Sequence, residues 1–118
     1  MPAPPRLLLI DDDQAFCELL RDYFKLDDFA VEFAHDGISG LQLARSGTFD
    51  LAILDVMLPA MSGFEVLRHL REDSPLPVLM LTARGDDIDC IVGLETGADD
   101  YIAKPCNPRQ IAARVRAI

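Results

Sequence analysis

Four separate places in the chain end an apolar run on a polar or charged side chain. LLLI at 7–10 is followed by Asp11, Asp12 and Asp13, LAIL at 51–54 by Asp55, VLML at 78–81 by Thr82, and YIA at 101–103 by Lys104 and Pro105. If these ends meet, carboxylates, a hydroxyl and an ammonium share one site. Clustered carboxylates raise one another's pKa unless a cation sits among them. Hard oxygen ligands open to water suit Mg²⁺, which takes one or two carboxylates together with waters and phosphate oxygens. In that setting Asp55 is a candidate nucleophile toward a phosphoryl group, because aspartyl phosphates are established covalent intermediates. Magnesium and Lys104 would neutralise the transferring oxygens, and Thr82 would hydrogen-bond one of them.

The elements needed to bring these residues together are legible in the hydrophobic pattern. Short runs rich in branched apolar residues, at 7–10, 30–34, 51–54, 78–81 and 101–103, predict strands. Amphipathic stretches at 14–26, 38–46, 64–72, 88–96 and 108–118 predict the helices between and after them. In the first helix Phe16, Leu19, Leu20, Tyr23 and Phe24 form the stripe expected against a sheet. Turn signals separate the elements, among them DG at Asp36, SG at Ser46 and Ser62, and SPLP from Ser74. Strict strand-helix alternation with apolar strands predicts an α/β fold, a doubly wound five-stranded parallel sheet with helices on both faces. Ligands of such sheets bind beyond the carboxyl ends of the strands. That is where Asp11, Asp55, Thr82 and Lys104 should stand.

Composition narrows the function classes. With 118 residues and 50% hydrophobic content, the chain has the size of one domain able to bury a core unaided. Its 20 acidic and 11 basic side chains give a formal charge of -9, which argues against nucleic acid or anionic lipid as a direct partner. Cys17, Cys90 and Cys106 are an odd number without C-x-x-C spacing, so neither a disulfide framework nor zinc is expected, and a reducing cytoplasm fits best. No run approaches the ~18 apolar residues of a membrane span, and the opening MPAPPRLLLI is a poor secretory signal.

Individual residues also have ordinary readings. Asp13 suits a cap on the helix starting near Gln14. His35 and His69 are read as lying away from the carboxyl strand ends and as non-functional. GISG at Gly37 to Gly40 lacks nucleotide-loop spacing. Gly85, Gly93 and Gly97 are expected at turns and helix ends.

The motifs LLLIDDD, LAILDVMLPAMSGFEVL, PVLMLTA and GADDYIAKP resemble those of receiver domains of bacterial two-component response regulators, and the likeness covers essentially the whole chain. The resemblance implies a flavodoxin-like sheet of strand order 2-1-3-4-5. It implies that Asp55 accepts a phosphoryl group from the phosphohistidine of a sensor histidine kinase. Mg²⁺ would be held by Asp12, Asp55 and the main-chain oxygen of Met57, with Asp11 acting through a metal-bound water. Thr82 and Lys104 would grip the phosphoryl oxygens, and Tyr101 would swing inward on activation. Met57 and Arg84 would flank the phosphoryl group and set its lifetime. Such a domain is a regulator with self-phosphorylation and autodephosphorylation chemistry rather than a turnover enzyme.

LTARGDDIDCIVGLETGADDYIAKPCNPRQIAARVRAI is similar to the OmpR/PhoB class, and AHDG with LTARG to its envelope-stress members of the CpxR type. That class implies a receiver at 1–118, followed in the parent protein by a winged-helix DNA-binding domain through which DNA is contacted. It implies homodimers on phosphorylation, through the fourth helix, fifth strand and fifth helix. The matching positions are Ile91, Leu94 and Ala113, with Asp100 and Arg114 as a cross-subunit ion pair; the less favoured reading of Ile91 and Leu94, from helical spacing alone, is ordinary core packing. Another expected ion pair falls on Cys90 and Gln110, so less salt sensitivity is expected. Cys106 stands where the family usually has phenylalanine and is read as a small buried hydrophobe. A phosphatase of the haloacid dehalogenase type would need D-x-D-x-[TV], which Asp11 and Asp13 begin and Ala15 breaks. A receiver-like domain that binds partners without phosphorylation is the third reading, disfavoured because every chemical residue is present.

Overall fold

A computed structural model describes residues 4–83 and 87–118, with residues 82 and 87–89 described by their backbone alone. Five strands and five helices alternate: β1 (Arg6–Ile10), α1 (Gln14–Leu26), β2 (Ala30–Ala34), α2 (Gly37–Ala44), β3 (Leu51–Asp55), α3 (Gly63–Arg71), β4 (Val78–Thr82), α4 (Asp87–Thr96), β5 (Asp100–Ala103) and α5 (Pro108–Ala117). All strand pairs are parallel and their order is β2-β1-β3-β4-β5. The fold is therefore the doubly wound sheet that the pattern predicts, with the strand order that the resemblance implies.

Alternation within each strand divides the core into two layers. Leu8, Ile10, Ala52, Leu54, Val78 and Met80 face α2 and α3, which contribute Leu41, Ala44, Val66, Leu67 and Leu70. Leu7, Leu9, Ile53, Leu79 and Leu81 face α1 and α5, which contribute Cys17, Leu20, Phe24, Ile111, Ala112 and Val115. The buried stripe of α1 thus runs through Cys17, Leu20 and Phe24, and Leu19 is exposed, which corrects the expected phase. Cys17 takes the place assigned to Leu19 because a thiol packs as a small hydrophobe.

Four helices begin on side-chain caps. Asp13 Oδ1 accepts from Phe16 N, Asp36 Oδ1 from Ser39 N, Ser62 Oγ from Glu65 N and Asn107 Oδ1 from Gln110 N. The second and third helices start at Gly37 and Gly63, one residue earlier than the apolar pattern suggests, because Asp36 and Ser62 set the first turn. Gly63 has a second role. A Cβ there would lie 2.2 Å from the Asp55 carbonyl oxygen and 2.8 Å from Val56 Cα, backbone atoms that cannot swing aside. Gly63→Ala is accordingly expected to cost about 1–3 kcal/mol in urea unfolding by overpacking the end of β3; wild-type stability in that variant would contradict the close approach.

At the opposite rim, Arg71 of α3 fastens the end of α4. Its Nε and Nη2 donate to the Gly97 carbonyl at 3.0 and 2.9 Å, and Nη1 donates to the Ser74 carbonyl at 3.2 Å. Gly97 ends α4 with φ +122°, as expected of it. Gly93 instead lies within α4 and lets that helix approach the Tyr101 ring, while Gly85 lies outside the described residues.

Candidate functional site

Two buried strands, β1 and β3, and the edge strand β5 end at one edge of the sheet and carry the acidic site. β1 delivers Asp11, fully buried, with Asp12 exposed beside it; β3 ends on Asp55, only 5% exposed; Lys104 follows β5 and is partly buried. One carboxylate oxygen from each of Asp11, Asp12 and Asp55 lies within 4.8 Å of the others. Lys104 Nζ is 2.7 Å from Asp11 Oδ2 and 3.5 Å from Asp55 Oδ2, and sits 4.4 Å from the centroid of the Phe16 ring. The backbone adds donors, from Asp13 N to Asp11 Oδ1 at 3.0 Å and from Met57 N to Asp55 Oδ1 at 3.2 Å.

The electrostatics record an excess of negative charge. Burial first, then the charge of Asp11, pushes the Asp55 carboxyl up to about 6, against the opposing pull of the Met57 N–H and Lys104. Burial, the largest influence on Lys104, lowers its pKa, but the hydrogen bond and charge of Asp11 and the charge of Asp55 raise it on balance. Lys104 therefore stays charged and still does not compensate both carboxylates. A hard divalent cation fits what remains: three carboxylates with clustered oxygens, one of them exposed to water.

Asp13 is spent on capping α1 and lies outside the clustered trio, as its ordinary reading expects. That removes the second carboxylate which a dehalogenase-type phosphatase would need. Thr82 is the last residue of β4, in register with Ala103 of β5 and so at the same sheet edge; its side chain and all of Arg84 lie outside the described residues. Met57, on the loop after β3, is about half exposed. Tyr101 is half-buried against Gly93 of α4.

On the flank, Ile91 is 53% and Leu94 45% exposed, with Val92 beside them, so neither is core; Ala113 is exposed on α5. Asp100 and Arg114 pair within the chain, Nη1 to Oδ2 at 3.1 Å. Cys106 is only partly buried, a departure from the expected buried hydrophobe. It lines a cleft of about 350 Å³ together with Phe16, Leu19 and Pro105. Burial raises its thiol pKa, as it raises that of Cys17 to about 12, so neither favours the reactive thiolate.

Sequence reasoning misplaces one residue of the site. His35 directly follows the carboxyl end of β2, and its Nδ1 lies 2.9 Å from the main-chain oxygen of Asp11. The signal was available, since the run AVEFA ends on it.

Residues 7–116 match the response regulator receiver domain family. The transcriptional regulatory protein CpxR homolog of Haemophilus influenzae is 48% identical over 113 residues, 96% of this chain and 49% of that protein. Transcriptional regulatory protein AfsQ1 of Streptomyces coelicolor is 49% identical over 114 residues, 97% of this chain and 51% of that protein. The chain thus spans about half the length of the curated relatives it matches. Among solved structures, the Francisella response regulator 1452 receiver domain aligns with a TM-score of 0.91 at 30% identity, covering 96% of this chain and 94% of its own. A putative response regulator from Chloroflexus aurantiacus aligns at 0.89 with 37% identity, covering 97% and 96%. With residues 7–116 matched by the family and relatives almost half identical over nearly all of its length, the chain belongs to the response regulator receiver domain family.

Proposed function

We propose that this domain is the phosphoacceptor switch of a two-component system and that Asp55 is the accepting residue. The observation that carries the reading is the convergence of Asp55, Asp11, Asp12 and Lys104 at one sheet edge with their charges incompletely balanced. Asp12, Asp55 and the main-chain oxygen of Met57 would hold Mg²⁺ directly, and Asp11 through a water; bound there, the ion supplies charge neutralisation for the transferring phosphoryl oxygens. An Asp55 carboxylate oxygen attacks the phosphorus of a phosphohistidine on a sensor histidine kinase. The new O–P bond forms as the P–N bond breaks, and the imidazole leaves with the electron pair. Lys104 and Thr82 then hold the phosphoryl oxygens, and Tyr101 follows the Thr82 loop inward, shifting an existing equilibrium of the α4, β5 and α5 face.

That face carries the exposed side chains of Ile91, Leu94 and Ala113 and would dimerise on phosphorylation, with Asp100 and Arg114 at its border. Relatives named as transcriptional regulators, twice the length of this chain, support a winged-helix DNA-binding domain in the remainder of the parent protein. No helix among the described residues is long and apolar enough to cross a membrane, and a cytoplasmic regulator is the corresponding proposal.

Intact mass after incubation with acetyl phosphate and Mg²⁺ tests the assignment. A gain of one phosphoryl group is expected, absent when a chelator removes the ion. A wild-type chain that gains no mass, or gains it equally in chelator, would rule out this chemistry.

A further inference from the structure

β1 and β2 pair residue for residue and end together, at Ile10 and Ala34, so the chain beyond them has no strand partner. The last ladder bond between them runs from Asp11 N to the Ala34 carbonyl at 3.0 Å, and β2 then ends. The carbonyl of Asp11 is therefore left past the end of the partner strand, on a residue with no exposed surface. A buried carbonyl without a donor is costly, so the position demands one. The described donors are two side chains: the Cys17 thiol at 3.5 Å, a weak donor, and His35 Nδ1 at 2.9 Å.

We propose that His35 is a positioning residue of the acidic site, holding the turn on which the Asp11 and Asp12 carboxylates stand by donating from its ring to the Asp11 main chain. Because a carbonyl can only accept, the hydrogen is on Nδ1. That nitrogen donates in both the neutral tautomer and the imidazolium, so the bond does not depend on pH. The ring is itself held in place. Its centroid lies 5.9 Å from that of Phe33, and Arg21 of α1 lies 5.4 Å from the centroid of the same phenylalanine. His35 thus fixes the main chain of Asp11, while Lys104 and Asp13 N fix its carboxylate. Outer partners that orient a ligand set in this way typically change metal affinity 10- to 100-fold when removed.

The inference rests on the reading of this site as a Mg²⁺ site, and its test separates the two. Mg²⁺ titration by calorimetry would compare the wild type with His35→Leu, which removes the donor, and His35→Asn, whose amide nitrogen can occupy the place of Nδ1. Melting curves in chelator would accompany each. About tenfold weaker binding is expected for His35→Leu, with His35→Asn within about threefold of wild type. A donor role predicts that rescue; a space-filling role does not. Equal affinity of His35→Leu and wild type would overturn the role of His35 alone, as would a His35→Asn no better than His35→Leu. A wild type that binds no Mg²⁺ would overturn both readings. If His35→Leu does not fold, imidazole ¹⁵N spectra of the wild type decide: a protonated Nδ1 in the neutral ring is expected, and an Nε2–H tautomer would refute the bond.

Discussion

Asp55→Asn is expected to abolish phosphoryl acceptance and, in chelator, to make the domain more stable above pH 6. The acceptance part follows from deleting the proposed nucleophile. The stability part follows from linkage. The folded-state pKa of Asp55, about 6, lies above its ordinary 3.8. The folded state therefore binds the proton more tightly than the unfolded state does. That contribution is complete below pH 4 and is lost as the pH rises through 6, because ionising the buried carboxyl beside Asp11 is unfavourable. The difference of about 2 pH units corresponds to about 2–3 kcal/mol. Asparagine keeps an acceptor for Met57 N and turns an amide donor toward Asp11, without the charge. Melting in chelator should rise by roughly 8–12 °C at pH 7.5, at about 4 °C per kcal/mol, and converge with wild type near pH 4. A variant that melts with or below the wild type at pH 7.5 would show that Asp55 is not held against its charge.

Lys104→Ala should do the opposite. The ammonium contacts both buried carboxylates, and its removal leaves them facing each other without a cation. Breaking a buried ion pair from one side typically costs about 3–5 kcal/mol. The loss should be largest at pH 7 and shrink toward pH 5, where Asp55 takes up a proton and the repulsion falls. Urea unfolding at the two pH values measures this. Adding Asp11→Asn to Lys104→Ala should recover most of the loss, since the charge left unpaired is then gone. Phosphoryl transfer from acetyl phosphate is expected to fall by roughly 100-fold in the single variant, the usual scale for one lost charge-stabilising donor. Independence of the unfolding cost from pH would separate Lys104 from Asp55.

The sheet and its acidic edge are legible in the sequence because strands buried on both faces leave uninterrupted apolar runs, and the first polar residue after each run marks the strand end. Asp11, Asp55, Thr82 and Lys104 are read off in that way. The same rule applied to AVEFA would have found His35; its bond goes to a main-chain atom, which no side-chain pattern announces. The phase of α1 is misread because Cys17 is not weighed as an apolar residue. Other features depend on contacts that no local pattern carries. The Arg71 fastening joins residues 26 apart in sequence, and the tight fit of Gly63 depends on how closely α3 returns to β3. Helix starts at Gly37 and Gly63 follow caps whose geometry exists only once the loop is folded.

The bond between Arg114 and Asp100 inside one chain has a consequence for assembly. If two such chains met about a twofold axis with these residues crossed, two internal pairs would be exchanged for two external ones. The reaction is a metathesis: the same ions, equal in number, stand on both sides. Exposed pairs of this kind contribute about 0–1 kcal/mol each, and their exchange contributes the difference between like terms. Added electrolyte weakens reactant and product alike. The charges can then dictate how the two copies are aligned, whereas the free energy of association has to come from the uncharged side chains of α4.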